Sequence, residues 1–177
     1  MTGRPAASTI WVRTVPTSDG YQAVLEIDDD TAHPLTAAVA HAHAAAVTAA
    51  VARAEYDAAV LHQLGRDPRH STIPAPAGHL IRTLRAARPA ITWPTPLTIE
   101  PGVSAFTRDP FLTVLIHGRA VGQWTPDDAR GHAIHVLEVV EGAALDGAYR
   151  QALCTLGVAP GDAGWIIGRL GEHRPQP

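Results

Sequence analysis

Hydrophobic and polar positions alternate twice near the start of the chain. Residues 8–15 (STIWVRTV) are rich in β-branched side chains and roughly alternate. Residues 21–28 (YQAVLEID) alternate again, with Tyr21, Ala23, Leu25 and Ile27 on one face. A period of two is the signature of a strand, and the turn-forming PTSDG (16–20) between the runs predicts a β-hairpin. The period then lengthens. Leu35, Val39, His43, Val47 and Val51 step by four, and Ala54, Ala58, Leu61 and Leu64 continue the stripe. That spacing predicts a helix over 34–64, with Asp30 or Thr31 as its cap, Pro34 in its first turn and Gly65 at its end. A polar loop (66–76) leads to a shorter helix over 77–88 with Leu80, Ile81 and Leu84 inward. The proline-spaced RPAITWPTP (88–96) reads as a linker. Strands over 97–106 and 111–117 follow. A second long helix is expected over 126–156, capped by Thr125 with acids in its first turn, then a short helix over 161–172 and a frayed tail.

The second half resembles the first. Segment 34–65 aligns with 126–157 without a gap, matching Pro34/Pro126, Ala37/Ala129, His43/His135, Val47/Val139, Ala52/Ala144, Leu61/Leu153, Leu64/Leu156 and Gly65/Gly157. The flanks align in the same order, 19–28 with 109–118 and 74–89 with 160–175. An internal repeat constrains architecture before any local assignment. The expected fold is α+β: a tandem duplication of a β-β-α-α unit, 1–89 and 97–177, joined by the linker 90–96. The halves are expected to form a pseudo-twofold dimer with one four-stranded antiparallel sheet, two long helices and two short ones. A half of about 80 residues has a marginal core by itself, so the halves are expected to share one.

Composition narrows the function classes. The chain has 177 residues and a formal net charge of -3. That balance makes no electrostatic case for nucleic acid or an anionic membrane. Every basic residue is arginine, and lysine and asparagine are absent. With abundant Ala, Gly and Pro, this usage points to a high-GC genome of the actinobacterial kind. The single cysteine, Cys154, excludes an intramolecular disulfide, and its apolar helical setting suggests a buried structural thiol. No apolar run is long enough for a signal peptide or a membrane span, so a cytoplasmic protein is expected.

Candidate chemistry is sparse. His43 and His135 occupy equivalent positions on the apolar stripes. They are expected to be buried and to approach one another across the pseudo-twofold, as core histidines or, alternatively, as a metal or protonation site. Asp128, His132 and His135 fall at i, i+4 and i+7 of the second long helix, with Glu138 beyond. A carboxylate and two imidazoles on one face make a candidate metal set, set against the plainer reading of a solvated helix edge. The run Asp28, Asp29, Asp30 is read as capping. No nucleophile elbow, zinc-protease helix or glycine-rich phosphate loop is present. Residues 152–174 (ALCTLGVAPGDAGWIIGRLGEHR) resemble a DNA-binding helix-turn-helix, with a glycine in the turn and Trp165, Ile166 and Ile167 in the second helix. That helix begins Gly161, Asp162, Ala163, Gly164, which is poor in groups that read base edges, so an αα-corner is preferred. Of the four tryptophans, Trp93 and Trp124 flank the second hairpin and are candidate ligand or partner contacts. The expected function is a non-enzymatic binding or regulatory protein acting where the halves meet, through Trp93, Trp124, His43 and His135. A small metal- or histidine-dependent enzyme using His43/His135 and Asp128/His132 is the alternative, and a DNA-binding regulator a further one. No cofactor is expected, a divalent metal being the alternative. The partner is a protein or small molecule, with no membrane and no specific nucleic acid, and an oligomer is compatible.

Overall fold

The structure, a computed structural model, describes residues 9–18, 20–28, 31–66 and 74–171. Strands β1 (Ile10–Thr17), β2 (Gly20–Ile27) and β3 (Thr31–Leu35) precede helices α1 (Ala37–Arg66) and α2 (Pro74–Ala87). Strands β4 (Leu97–Val103), β5 (Pro110–Ile116) and β6 (Arg119–Trp124) precede α3 (Pro126–Thr155) and α4 (Pro160–Gly171). The chain forms two compact units. One comprises residues 41–135: most of α1, all of α2, the β4–β6 sheet and the start of α3. The other comprises 9–40 and 136 onward: the β1–β3 sheet, the first residues of α1, the rest of α3 and α4.

Each sheet is three-stranded and antiparallel, in the orders β1-β2-β3 and β4-β5-β6. This corrects the expected single four-stranded sheet made by pairing hairpins across a pseudo-twofold. The α+β class and the four helices stand, but the unit in chain order is β-β-β-α-α. The two added strands were hidden for different reasons. Pro34 looks like a first-turn helix residue, yet it lies in β3 opposite Val24. It is tolerated because β3 is an edge strand, where a missing N–H need not break a ladder. Pro16 on β1 and Pro101 on β4 occupy edge strands for the same reason. Strand β6 (RAVGQW) has only half-buried or exposed residues and so shows no alternation. It is set by the two-residue turn His117–Gly118, where both residues have positive φ (48° and 76°), the backbone that a tight hairpin of matching twist needs.

The central strands carry most of the sheet burial: Ala23, Val24, Leu25 and Ile27 in β2, and Leu112, Val114 and Ile116 in β5. Helix α1 buries Ala40, His43, Val47, Ala50, Ala54 and Asp57, a stripe at helical spacing that contains two polar residues. Its cap is Thr36, whose Oγ1 accepts the Val39 N–H at 3.2 Å, rather than Asp30 or Thr31. Asp28 is a turn residue with positive φ, accepting the Thr9 N–H at 2.8 Å. Asp29 and Asp30 lie outside the described residues. Among the described residues, no helix is long and apolar enough to cross a membrane.

Candidate functional site

The buried stripe of α1 places His43 inside the 41–135 unit, 1 % exposed. Its Nε2 lies 3.1 Å from Nε2 of His132 on α3, and its Nδ1 lies 3.1 Å from Thr95 Oγ1 in the linker. The Thr95 hydroxyl donates to the Leu97 carbonyl at 3.1 Å, and this sets the direction of the chain. With its proton committed, the Thr95 oxygen accepts from His43 Nδ1–H. Neutral His43 then has only its Nε2 lone pair left, so His132 Nε2–H is the donor between the rings. Four groups thus point one way, from His132 through His43 and Thr95 to the start of β4. Each donor in such a chain polarises the next.

Two tryptophans close the cluster. Trp93, from the linker, meets the His43 ring edge-on, with centroids 5.8 Å apart. Trp124, the last residue of β6, tilts over His132 at 5.0 Å. The imidazoles themselves are T-shaped at 5.3 Å. Burial pulls the His43 pKa down to about 4. Burial, with repulsion from His43 and His135 adding to it, pulls His132 down to about 3. Both rings are therefore neutral at physiological pH.

The sequence-derived site residues divide accordingly. His43, His132, Trp93 and Trp124 come together. The bonded partner of His43 is His132, one turn before the repeat-equivalent His135, which is half-buried and acts on His132 through charge. Asp128 is committed elsewhere. Its Oδ2 accepts the Thr125 hydroxyl at 2.7 Å and the Thr125 N–H at 3.0 Å, while its own N–H donates to Thr125 Oγ1 at 3.1 Å. This is a capping box closing the start of α3, and the two bonds from Thr125 hold the Asp128 carboxyl below its usual pKa. Glu138 is exposed. Among the described residues, no three His, Cys, Asp or Glu side chains are gathered to hold a metal. In the 152–171 part of the helix-turn-helix resemblance, Trp165 is 68 % exposed while Ala163 and Ile167 are buried, so Trp165 does not anchor the second helix. Residues 172–174 lie outside the described residues. Cys154 is half-buried and free.

Sequence reasoning missed the second polar position of the α1 stripe. Asp57 is fully buried, with Arg85 Nε 2.8 Å from its Oδ2 and Arg88 Nη2 2.8 Å from its Oδ1. The available signal was a carboxylate on an apolar helical face, with Arg82, Arg85 and Arg88 spaced by three downstream. Thr95 had no such signal, since nothing local marks a linker threonine as a ring partner. In comparisons with known proteins, no protein-family model, no curated protein and no solved structure matches the chain.

Proposed function

We propose that this chain is a non-enzymatic binding or regulatory protein, an internally duplicated scaffold. Its contact region is the junction of α1, the linker and α3 around Trp93 and Trp124. The observation that carries this reading is the closed chain from His132 to Leu97. The two imidazoles nearest to each other are committed to one another and to Thr95. A general base works best with a pKa near the operating pH, whereas these rings are held neutral far below it by burial. The half-buried tryptophans keep part of their rings at the surface, as aromatic anchors for partners do. The repeated β-β-β-α-α order supports the duplication. A cytoplasmic location and a protein or small-molecule partner belong to the same reading. Specific duplex DNA does not, because the chain is net acidic.

One observation favours the metal-dependent alternative: the 3.1 Å between two Nε2 atoms is close to the spacing of two ligands on one zinc ion, each about 2.0–2.1 Å from it. Titration of the purified protein with Co²⁺, followed by its visible absorption, decides between them. The binding reading expects no stoichiometric band. A band at one equivalent that disappears in His132→Ala establishes the metal reading instead.

A further inference from the structure

The 41–135 unit contains a cavity of about 200 Å³ lined by Arg53, Arg85, Arg88, Glu100 and Pro101. Three guanidiniums line this space, which is open to solvent, and the protein compensates part of their charge. Arg85 Nε donates to Asp57 Oδ2, Arg88 Nη2 forms an ion pair with Asp57 Oδ1 at 2.8 Å without hydrogen-bond geometry, and the Pro89 carbonyl accepts from Arg53 Nη2 at 2.8 Å. Arg53 and Arg85 each spend one nitrogen on these hydrogen bonds. Three arginines against the carboxylates of Asp57 and Glu100 leave one positive charge in excess. Arg88 Nη1 is buried and has no hydrogen-bond acceptor among the described residues. A buried donor without an acceptor is uncommon in folded proteins, and an ordered water, a bound ion or a functional role accounts for one.

The arginines are also held in place. The Asp57 carboxylate is fully buried and braces two of them, and Arg88 lies over the Tyr56 ring at 5.6 Å. A planar guanidinium fixed in this way presents paired N–H groups that match the oxygens of a carboxylate or phosphate. Glu100, on the edge strand β4, is the one carboxylate among the described residues that line the space.

We propose that this cavity binds a small molecule through a phosphate or carboxylate group. Arg53, Arg85 and Arg88 form the anion clamp, and Glu100 limits how much negative charge the ligand carries. The site names a ligand class that the binding reading leaves open, and it stands apart from the His43–His132 pair. A metal at that pair would leave this proposal intact, and failure here would leave the contact region around Trp93 and Trp124 standing.

The test is calorimetric titration and thermal shift of the full chain, with inorganic phosphate and acetate as probes and chloride at matched ionic strength as the control. At least one probe is expected to bind saturably and raise Tm where chloride does not, and the stronger probe tells phosphate from carboxylate recognition. Arg53→Gln removes a clamp arm whose own bond is to a backbone carbonyl, so the Asp57 ion pairs persist. It is expected to weaken binding roughly tenfold, the loss of one charge-assisted hydrogen bond. Glu100→Gln is expected to tighten phosphate several-fold by removing a like charge, and it decides the matter even if Arg53→Gln does not fold. Binding of neither probe beyond the chloride control, or binding unchanged in both variants, overturns the proposal.

Discussion

A buried histidine that cannot take a proton makes stability depend on pH in a definite direction. Burial lowers the folded-state values of His43 to about 4 and of His132 to about 3, whereas an unfolded histidine titrates near 6.5. Above about pH 6.5 both states are neutral and the pair adds no pH dependence. As pH falls below that, the unfolded chain binds protons that the folded one refuses, so stability is lost until pH passes the lower folded-state value, about 3, and then levels off. Urea midpoints are therefore expected to fall between about pH 7 and pH 4.5. The double variant His43→Leu/His132→Leu is expected to flatten part of that fall, and equal slopes in the two proteins would refute the assignment. At pH 7, His43→Ala alone is expected to cost about 1–3 kcal/mol through lost packing and an unpaired His132 N–H. Asp57→Ala is expected to cost about 2 kcal/mol, because it removes the buried carboxylate that pairs two partly exposed arginines. Chemical denaturation measures both.

At the scale of elements, two glycines that align in the repeat serve different ends. Gly157 has φ +89° and sits just past α3. Its N–H donates to the Cys154 carbonyl at 3.0 Å, and the Val158 N–H donates to the Leu153 carbonyl at 3.0 Å. These two bonds form the Schellman motif that ends many helices. Gly65 instead lies within α1, which continues to Arg66, so it does not end that helix as expected. A Cβ there would meet the guanidinium of Arg108, which donates to the Leu61 carbonyl at 3.3 Å. That group is the far end of a flexible side chain and can move. Gly157→Ala is thus expected to destabilise by about 1 kcal/mol through the left-handed backbone. Gly65→Ala is expected to be near neutral, because helix propensity favours alanine by up to about 1 kcal/mol and offsets the displaced arginine. Matched thermal melts test the contrast, and equal losses at both sites would contradict it. Thr125→Ala opens the capping box of α3 and is expected to cost about 1 kcal/mol.

For the whole molecule, the compact units do not coincide with the repeats. The unit of residues 41–135 takes α2 and most of α1 from the first half, and the β4–β6 sheet and the start of α3 from the second. The His43–His132 bond and the exposed ion pair of Arg130 with Glu55 join the two halves within that unit, and Thr95 ties the linker to His43. Cutting in the 90–96 linker therefore divides one core between two fragments. Fragments 1–89 and 97–177 are expected to be poorly folded when expressed separately and to recover structure when mixed. Amide proton dispersion in NMR spectra follows this directly, and a well-dispersed spectrum from either fragment alone would count against it.

The periodicities of the chain were enough for four helices, the first hairpin, the α+β class and the stripe that buries His43, because these depend on spacing within a few turns. Thr125 as the cap of α3 was legible for the same reason. The count of strands was not. Edge strands such as β3 and β6 need bury little, and Pro34 and the polar RAVGQW run carry no period for burial to write. Sheet partnership was equally out of reach, since hairpins of similar pattern pair by geometry that no local segment records. The site shows the same division. His43 was marked by its place on an apolar face, but its partners were chosen by the fold. His132 rather than His135 faces it, Thr95 reaches it from a linker, and Asp57 draws Arg85 and Arg88 from another part of the chain. Burying a polar group is costly unless a partner satisfies it. The chain reveals which groups will be buried, and only the tertiary arrangement supplies the partner.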